Sequence, residues 1–225
     1  MRLFAFAILS LSMICGTSSA GVTLLVDFGP FKTGDKNAGN QKKPQASTDD
    51  FALADPQVDP QAQVNNMLLN MAPARAKDND TELEGVGIVA EVTFKRLVGY
   101  GAFGGDYGKT PILNSYLYVQ KTSSSVTVSS LEEIEAGSTV TVAAWGGGDK
   151  PGQDTIFSIT YDGVESSKQT VVHGVPQAEA FATFTFTKVD GVDEVTINYG
   201  NPDDYAGFSG FSITSKNETP VTEPE

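Results

Sequence analysis

The sequence predicts an all-β protein in which two antiparallel sheets pack face to face as a jelly roll. Three observations lead there: short β-branched and aromatic runs recur between residues 87 and 215, turn residues separate them, and that span holds almost no helical periodicity. Strands that alternate apolar and polar residues present one face each to a core, and two such sheets bury those faces against each other. A large β-barrel and a concanavalin-like sandwich carry the same signals and stand as alternatives.

Taken in order, residues 1–20 read as an export signal. Met1-Arg2 supplies the positive start, an apolar run follows, and Ser18-Ser19-Ala20 offers the small residues of a cleavage site. The run is too short to span a bilayer, so no membrane span is expected in the mature chain. Cleavage after Ala20 removes Cys15, the only cysteine, and leaves a disulfide-free domain over residues 21–215 that is long enough to stand on its core. Residues 21–29 form the first strand. Residues 31–80 lose the pattern in Asn, Gln, Lys, Asp and Pro and read as an irregular surface excursion, with one short helix opening at Asp59-Pro60 and carrying Ala62, Val64, Met67, Leu68 and Met71.

Strands then follow at 87–98, 115–120, 125–129 and 139–145. Gly146-Gly147-Gly148 should end the last of these and open a loop over residues 146–153. Residues 155–161 and 168–173 flank Asp162-Gly163, and residues 181–189 and 194–199 flank Asp190-Gly191, so two hairpins are expected. Residues 208–214 close the domain beside residues 24–28. The polar, proline-bearing stretch 216–225 has nothing to bury and reads as a disordered tail.

Leu24-Leu-Val-Asp27-Phe28-Gly29, the Asn65-Asn66 pair, Val126 to Leu131 followed by Ala136-Gly137-Ser138-Thr139-Val140, and the closing Tyr205-Ala-Gly-Phe208-Ser-Gly-Phe211-Ser-Ile213 resemble a group of exported jelly-roll domains of environmental bacteria such as planctomycetes and verrucomicrobia. That group is similar to galactose-binding-like and carbohydrate-binding-module folds. The resemblance covers most of residues 21–215 except the excursion and implies a fold, without naming catalytic residues.

Charge narrows the function classes. Fifteen basic residues face 28 acidic ones for a net −13, which loss of Arg2 makes more negative, so the field has the wrong sign for a nucleic-acid partner. Gly99-Tyr-Gly101-Ala-Phe-Gly104 has dinucleotide-loop spacing, but Gly105, Gly108 and Pro111 prevent the helix a pyrophosphate needs. His173 is the only histidine and has no serine elbow nearby, which speaks against a triad and against a conventional zinc site. Glu132-Glu133-Ile134-Glu135 reads as a solvated turn rather than the flanking carboxyl pair of a glycosidase.

What remains is binding. Three loops, 100–107, 145–154 and 201–208, combine aromatic residues, glycine and acids, the groups that stack on sugar faces and hydrogen-bond sugar hydroxyls. Trp145, Asp149, Gln153, Tyr107 and Tyr205 are the candidate ligand residues. Asp149, Asp154, Asp203 and Asp204 are candidate Ca²⁺ ligands, since hard cations take oxygen donors. The expected protein is a secreted or cell-surface, monomeric, non-catalytic carbohydrate-binding-like domain with an extracellular glycan as partner. A structural surface or matrix domain that binds protein and a carboxylate-based glycoside hydrolase are its rivals.

Overall fold

The computed structural model describes residues 21–28, 46–66, 80–95, 99–101, 110–148 and 150–216. The export segment, residues 217–225 of the expected tail, Tyr107 and Asp149 lie outside them. In chain order the elements are β1 (Thr23–Asp27), α1 (Thr48–Ala52), β2 (Val64–Asn66), β3 (Asp80–Gly85), β4 (Ile88–Lys95), β5 (Gly99–Gly101), β6 (Tyr116–Ser129), β7 (Thr139–Gly147), β8 (Thr155–Tyr161), β9 (Val164–Glu165), β10 (Gln169–Val171), β11 (Phe181–Thr187) and β12 (Val195–Lys216). The architecture is the expected jelly-roll β-sandwich, antiparallel throughout the described pairs except where β2 runs parallel to β1.

Its organiser is β12, 22 residues long. Residues 195–200 lie between β6 and β8, in a sheet ordered β10-β8-β12-β6-β4-β3, whereas residues 210–214 lie between β7 and β1 in a sheet completed by β11 and β2. The two sheets face each other across an aromatic core. Phe28, the residue after β1, meets Phe94 of β4 at 5.5 Å and Phe208 at 5.0 Å, edge to face, and Phe208 in turn meets Phe157 of β8 at 5.2 Å. Edge-on contact of this kind sets the positive rim of one ring against the negative face of the next.

The closing pair is as expected: Leu24 stands opposite Ile213 and Asp27 opposite Gly210. Lys216, assigned to the tail from sequence, still pairs with Thr139. The Asp162-Gly163 hairpin forms, with φ of 49° and 72° at the two turn residues, and both β9 and β10 return along β8. The second Asp-Gly turn does not make a hairpin. β11 pairs with β7, and the chain then crosses at residues 188–194 to the other sheet, where β12 begins between β6 and β8. Lys188 anchors this corner, its buried ammonium bonded to Asp193 at 2.8 Å and to the Val189 carbonyl at 3.0 Å.

Two further expectations are corrected. No helix begins at Asp59-Pro60. Gln61 and Ala62 close a turn on Asp59, and Val64 to Asn66 join β1 as β2. The helix lies earlier, at Thr48–Ala52, where Asp50 reaches back to accept from the Ser47 N–H at 2.8 Å. Nor is the described part of the excursion a surface feature. Residues 46–62 lie as a strap over the outward side of β1, β12 and β7, burying Ala46, Phe51, Val58 and Ala62, and bonding Asp59 N–H to the Thr23 hydroxyl and the Thr214 hydroxyl to Asp55.

Candidate functional site

The strap decides the fate of Trp145. Alternation turns its side chain away from the sandwich interior, but the ring is 0% exposed because Phe51 covers it at 5.1 Å and Phe181 flanks it at 5.5 Å. Trp145 is thus a core residue of the strap and presents no face to a glycan. Its strand does not stop at the glycines either: Gly146 and Gly147 stay paired with Phe208 and Gly207. They are glycines for close approach, since a Cβ on Gly146 would lie 2.4 Å from the Gly207 carbonyl oxygen and 2.7 Å from the Phe157 ring.

The loops that follow Trp145 and Asn201 do come together. Asn201 Nδ2 donates to the carbonyls of Gly152 at 3.0 Å and Asp154 at 2.9 Å, while its Oδ1 accepts from the N–H groups of Asp203 and Asp204. The fully buried Thr155 hydroxyl accepts from the N–H groups of Gly147 and Gly207 and donates to the Gly207 carbonyl at 2.8 Å. These amides and hydroxyls satisfy backbone groups at the sheet end with groups of the chain itself. Asp154 Oδ1 accepts from the His173 N–H, Asp204 Oδ1 from the Tyr205 N–H, and Asp203 is exposed. Among the described residues no three His, Cys, Asp or Glu side chains group as metal ligands. The carbonyls nearest the proposed calcium loop already face an amide donor. Gln153 is half-buried in the same loop.

A concave surface lies beside this cluster, on the outward face of β6, β12 and β8. A groove of about 610 Å³ is floored by Ser158, Thr160, Asn198 and Gly200 and rimmed by Lys121, Ser123, Glu165 and Lys168. Register explains the floor. Ser158, Asn198 and Ser125 stand opposite one another across three strands, and each alternates with buried neighbours such as Ile197 and Tyr199. Asn198 Nδ2 donates to the Thr160 hydroxyl at 3.0 Å, and Ser158 donates to Glu165 Oε1 at 2.6 Å.

Lys121 sits on the groove's rim because β6 and β12 fall out of register beside it. Pro202, Asp203 and Asp204 of β12 face this one residue, whose φ of 49° is unusual for a side chain with a Cβ. Beyond the bulge, about 10 Å from Lys121 along β6 at strand rise, begins a strip of tyrosines. Tyr205 meets Tyr118 edge-on at 5.8 Å, and Tyr118 meets Tyr116 at 6.1 Å. Gly99 and Gly207 stand opposite Tyr118 on its two sides and Gly101 opposite Tyr116, so no neighbouring side chain rises from those positions.

Of the residues chosen from sequence, then, Tyr205 is on this surface, Gln153 and the described aspartates belong to the adjoining loops, and Trp145 is elsewhere. Tyr116, Tyr118 and Asn198 were missed. For the tyrosines the signal was the Tyr-Leu-Tyr-Val alternation of residues 116–119, which marks alternate tyrosines as outward.

No family model and no curated protein matches the chain. Among solved structures it is similar to the CBM22-1 xylan-binding domain from Paenibacillus barcinonensis Xyn10C, at 11% identity over 63% of this chain and 88% of that one, with a TM-score of 0.36. It is similar to TmCBM61 in complex with β-1,4-galactotriose at 13% identity, over 61% and 88% of the two chains, with a TM-score of 0.31. It also resembles part of the exo-β-1,3-galactanase from Phanerochaete chrysosporium at 12% identity and a TM-score of 0.35, over 61% of this chain and 29% of that one, so it spans under a third of that enzyme. Likeness of this degree concerns the β-sandwich architecture alone.

Proposed function

We propose that this chain is an exported, non-catalytic glycan-binding domain whose ligand lies along the tyrosine strip and in the groove of β6, β12 and β8. The observation that carries this reading is the continuity of the two surfaces: aromatic edges and faces at one end, then a groove of hydroxyl and amide groups. Sugars offer both an apolar C–H face and a set of hydroxyls, and such a surface answers each. Binding rather than hydrolysis is favoured because Glu165 is the one carboxylate lining the groove, whereas glycoside hydrolysis needs two carboxyls flanking the bond. The adjoining aspartate loops leave calcium as a structural option rather than as part of the ligand surface.

A glycan array read with the full chain tests this. On any hit, Tyr118→Ala and Asn198→Ala should each weaken binding roughly tenfold, the effect of losing about one good stack or hydrogen bond. Trp145→Phe should leave it unchanged. Binding that persists through both groove substitutions would place the ligand elsewhere and end the proposal.

A further inference from the structure

We infer that the groove takes an acidic polysaccharide, one carrying carboxylate or sulfate groups; this rests on the glycan-binding reading and adds the ligand's charge to it. The chain is strongly acidic, yet of its described lysines at 95, 121, 150, 168, 188 and 216, two line this one groove. They are not there as partners of other charges. Among the described residues the ion pair seen is Lys188 with Asp193, and neither Lys121 nor Lys168 takes part in one. Asp203 and Asp204 stand opposite Lys121 at the bulge, but their carboxylates form no ion pair with it and do not line the groove. Glu165, which does, is held by the Ser158 hydroxyl.

The backbone supports the same conclusion. Lys121 occupies a left-handed φ of 49° at the one point where β6 and β12 lose register, and an unfavourable conformation of this kind persists where surrounding structure imposes it. Its consequence is a cation at the mouth of a hydroxyl-lined groove. Between Lys121 and Lys168 lie Ser123, Asn198 and Thr160, neutral donors suited to the hydroxyls of the sugar that bears the charge. The net charge of −13 gives no long-range attraction for any polyanion, so binding rests on these two lysines at contact range, where salt at about 0.15 M screens exposed charges beyond about 8 Å. It does exclude a trivial cause, since an acidic protein has no general attraction for a polyanion.

Affinity electrophoresis of the full chain in gels containing polygalacturonate, chondroitin sulfate, neutral xylan or neutral β-galactan decides the matter. Retardation by one or both acidic polymers, stronger than by the neutral ones, is expected, and the two acidic gels separate carboxylate from sulfate recognition. Lys121→Ala with Lys168→Ala should then weaken binding about tenfold, while Lys150→Ala, outside the groove, should not. Circular dichroism of the double variant checks that it folds, and Lys121→Arg with Lys168→Arg should restore retardation. Retardation by neutral polymers alone, or acidic-polymer binding indifferent to the double substitution, would overturn the charge inference while leaving the groove as a glycan site. No retardation in any gel, with no array hit, would overturn both.

Discussion

Asp27 is the residue whose environment is most at odds with its chemistry. It is 2% exposed, its Oδ1 has no hydrogen-bond partner, and burial pushes its carboxyl well above the usual carboxylate range, with the nearby Asp50 adding to the rise and a backbone hydrogen bond from Ala46 opposing it. The neutral acid is therefore the form the fold prefers. Between the ordinary carboxylate value and the raised one, the folded chain holds a proton that the unfolded chain has lost, so this residue's contribution to stability falls as pH rises through that window. Asp27→Asn should flatten the dependence. Melting temperatures of the two proteins should agree near pH 4 and diverge toward pH 7 with the variant higher; a difference that does not change with pH would show that Asp27 does not titrate in this way. Trp145 stands next to it in register, since Asp27 and Trp145 both pair with Gly210, and its indole nitrogen also lacks a partner. Gly210 allows the approach, for a Cβ there would meet the Val26 carbonyl oxygen at 2.5 Å.

At the scale of elements, the largest buried side chain of the strap over β1, β12 and β7 is one ring. Phe51 is fully buried on Trp145, and truncating a buried phenylalanine costs about 3 to 5 kcal/mol. Phe51→Ala should thus destabilise the protein by about 3 kcal/mol and shift Trp145 emission to longer wavelength as water reaches the ring; unchanged emission would mean that the strap does not depend on Phe51. The same element explains what the sequence revealed and what it concealed. Alternation marked the strands, and Asp-Gly marked both turns, because these are local signals. Whether a turn joins neighbours in one sheet or carries the chain to the other depends on which strand lies alongside, and the crossing at residues 188–194 has no local mark. Likewise Trp145 was read as a ligand residue, but a ring on an outward face is exposed only if nothing lies over it. Phe51, some 90 residues earlier in a stretch without strand pattern, gave no sign of being the lid. Tyr205 was singled out because glycines and aspartates surround it, whereas the groove floor is built of serine, threonine and asparagine, which occur on any solvated strand.

For the whole molecule the consequence lies in β12. Two separate sheets could in principle melt separately, yet this one strand is a central member of both, and β6 likewise runs past its bulge to pair with each half of β12. Losing either sheet exposes one face of Phe208 and Phe211, whose rings touch Phe28 of one sheet and Phe157 of the other. Neither half keeps a closed core alone, so unfolding should be a single cooperative step. The chain reports on this directly, since its one tryptophan lies in the β7 sheet under the strap while far-ultraviolet circular dichroism follows both sheets. In urea the two signals should give coincident midpoints and slopes, as a two-state domain requires. An earlier fluorescence transition would mean that the strap detaches before the sandwich opens; if it also disappears in Phe51→Ala, the lid is an independent unit. A later one would mean that the β7 sheet survives the loss of its partner, and would contradict the claim that β12 makes the two sheets one core.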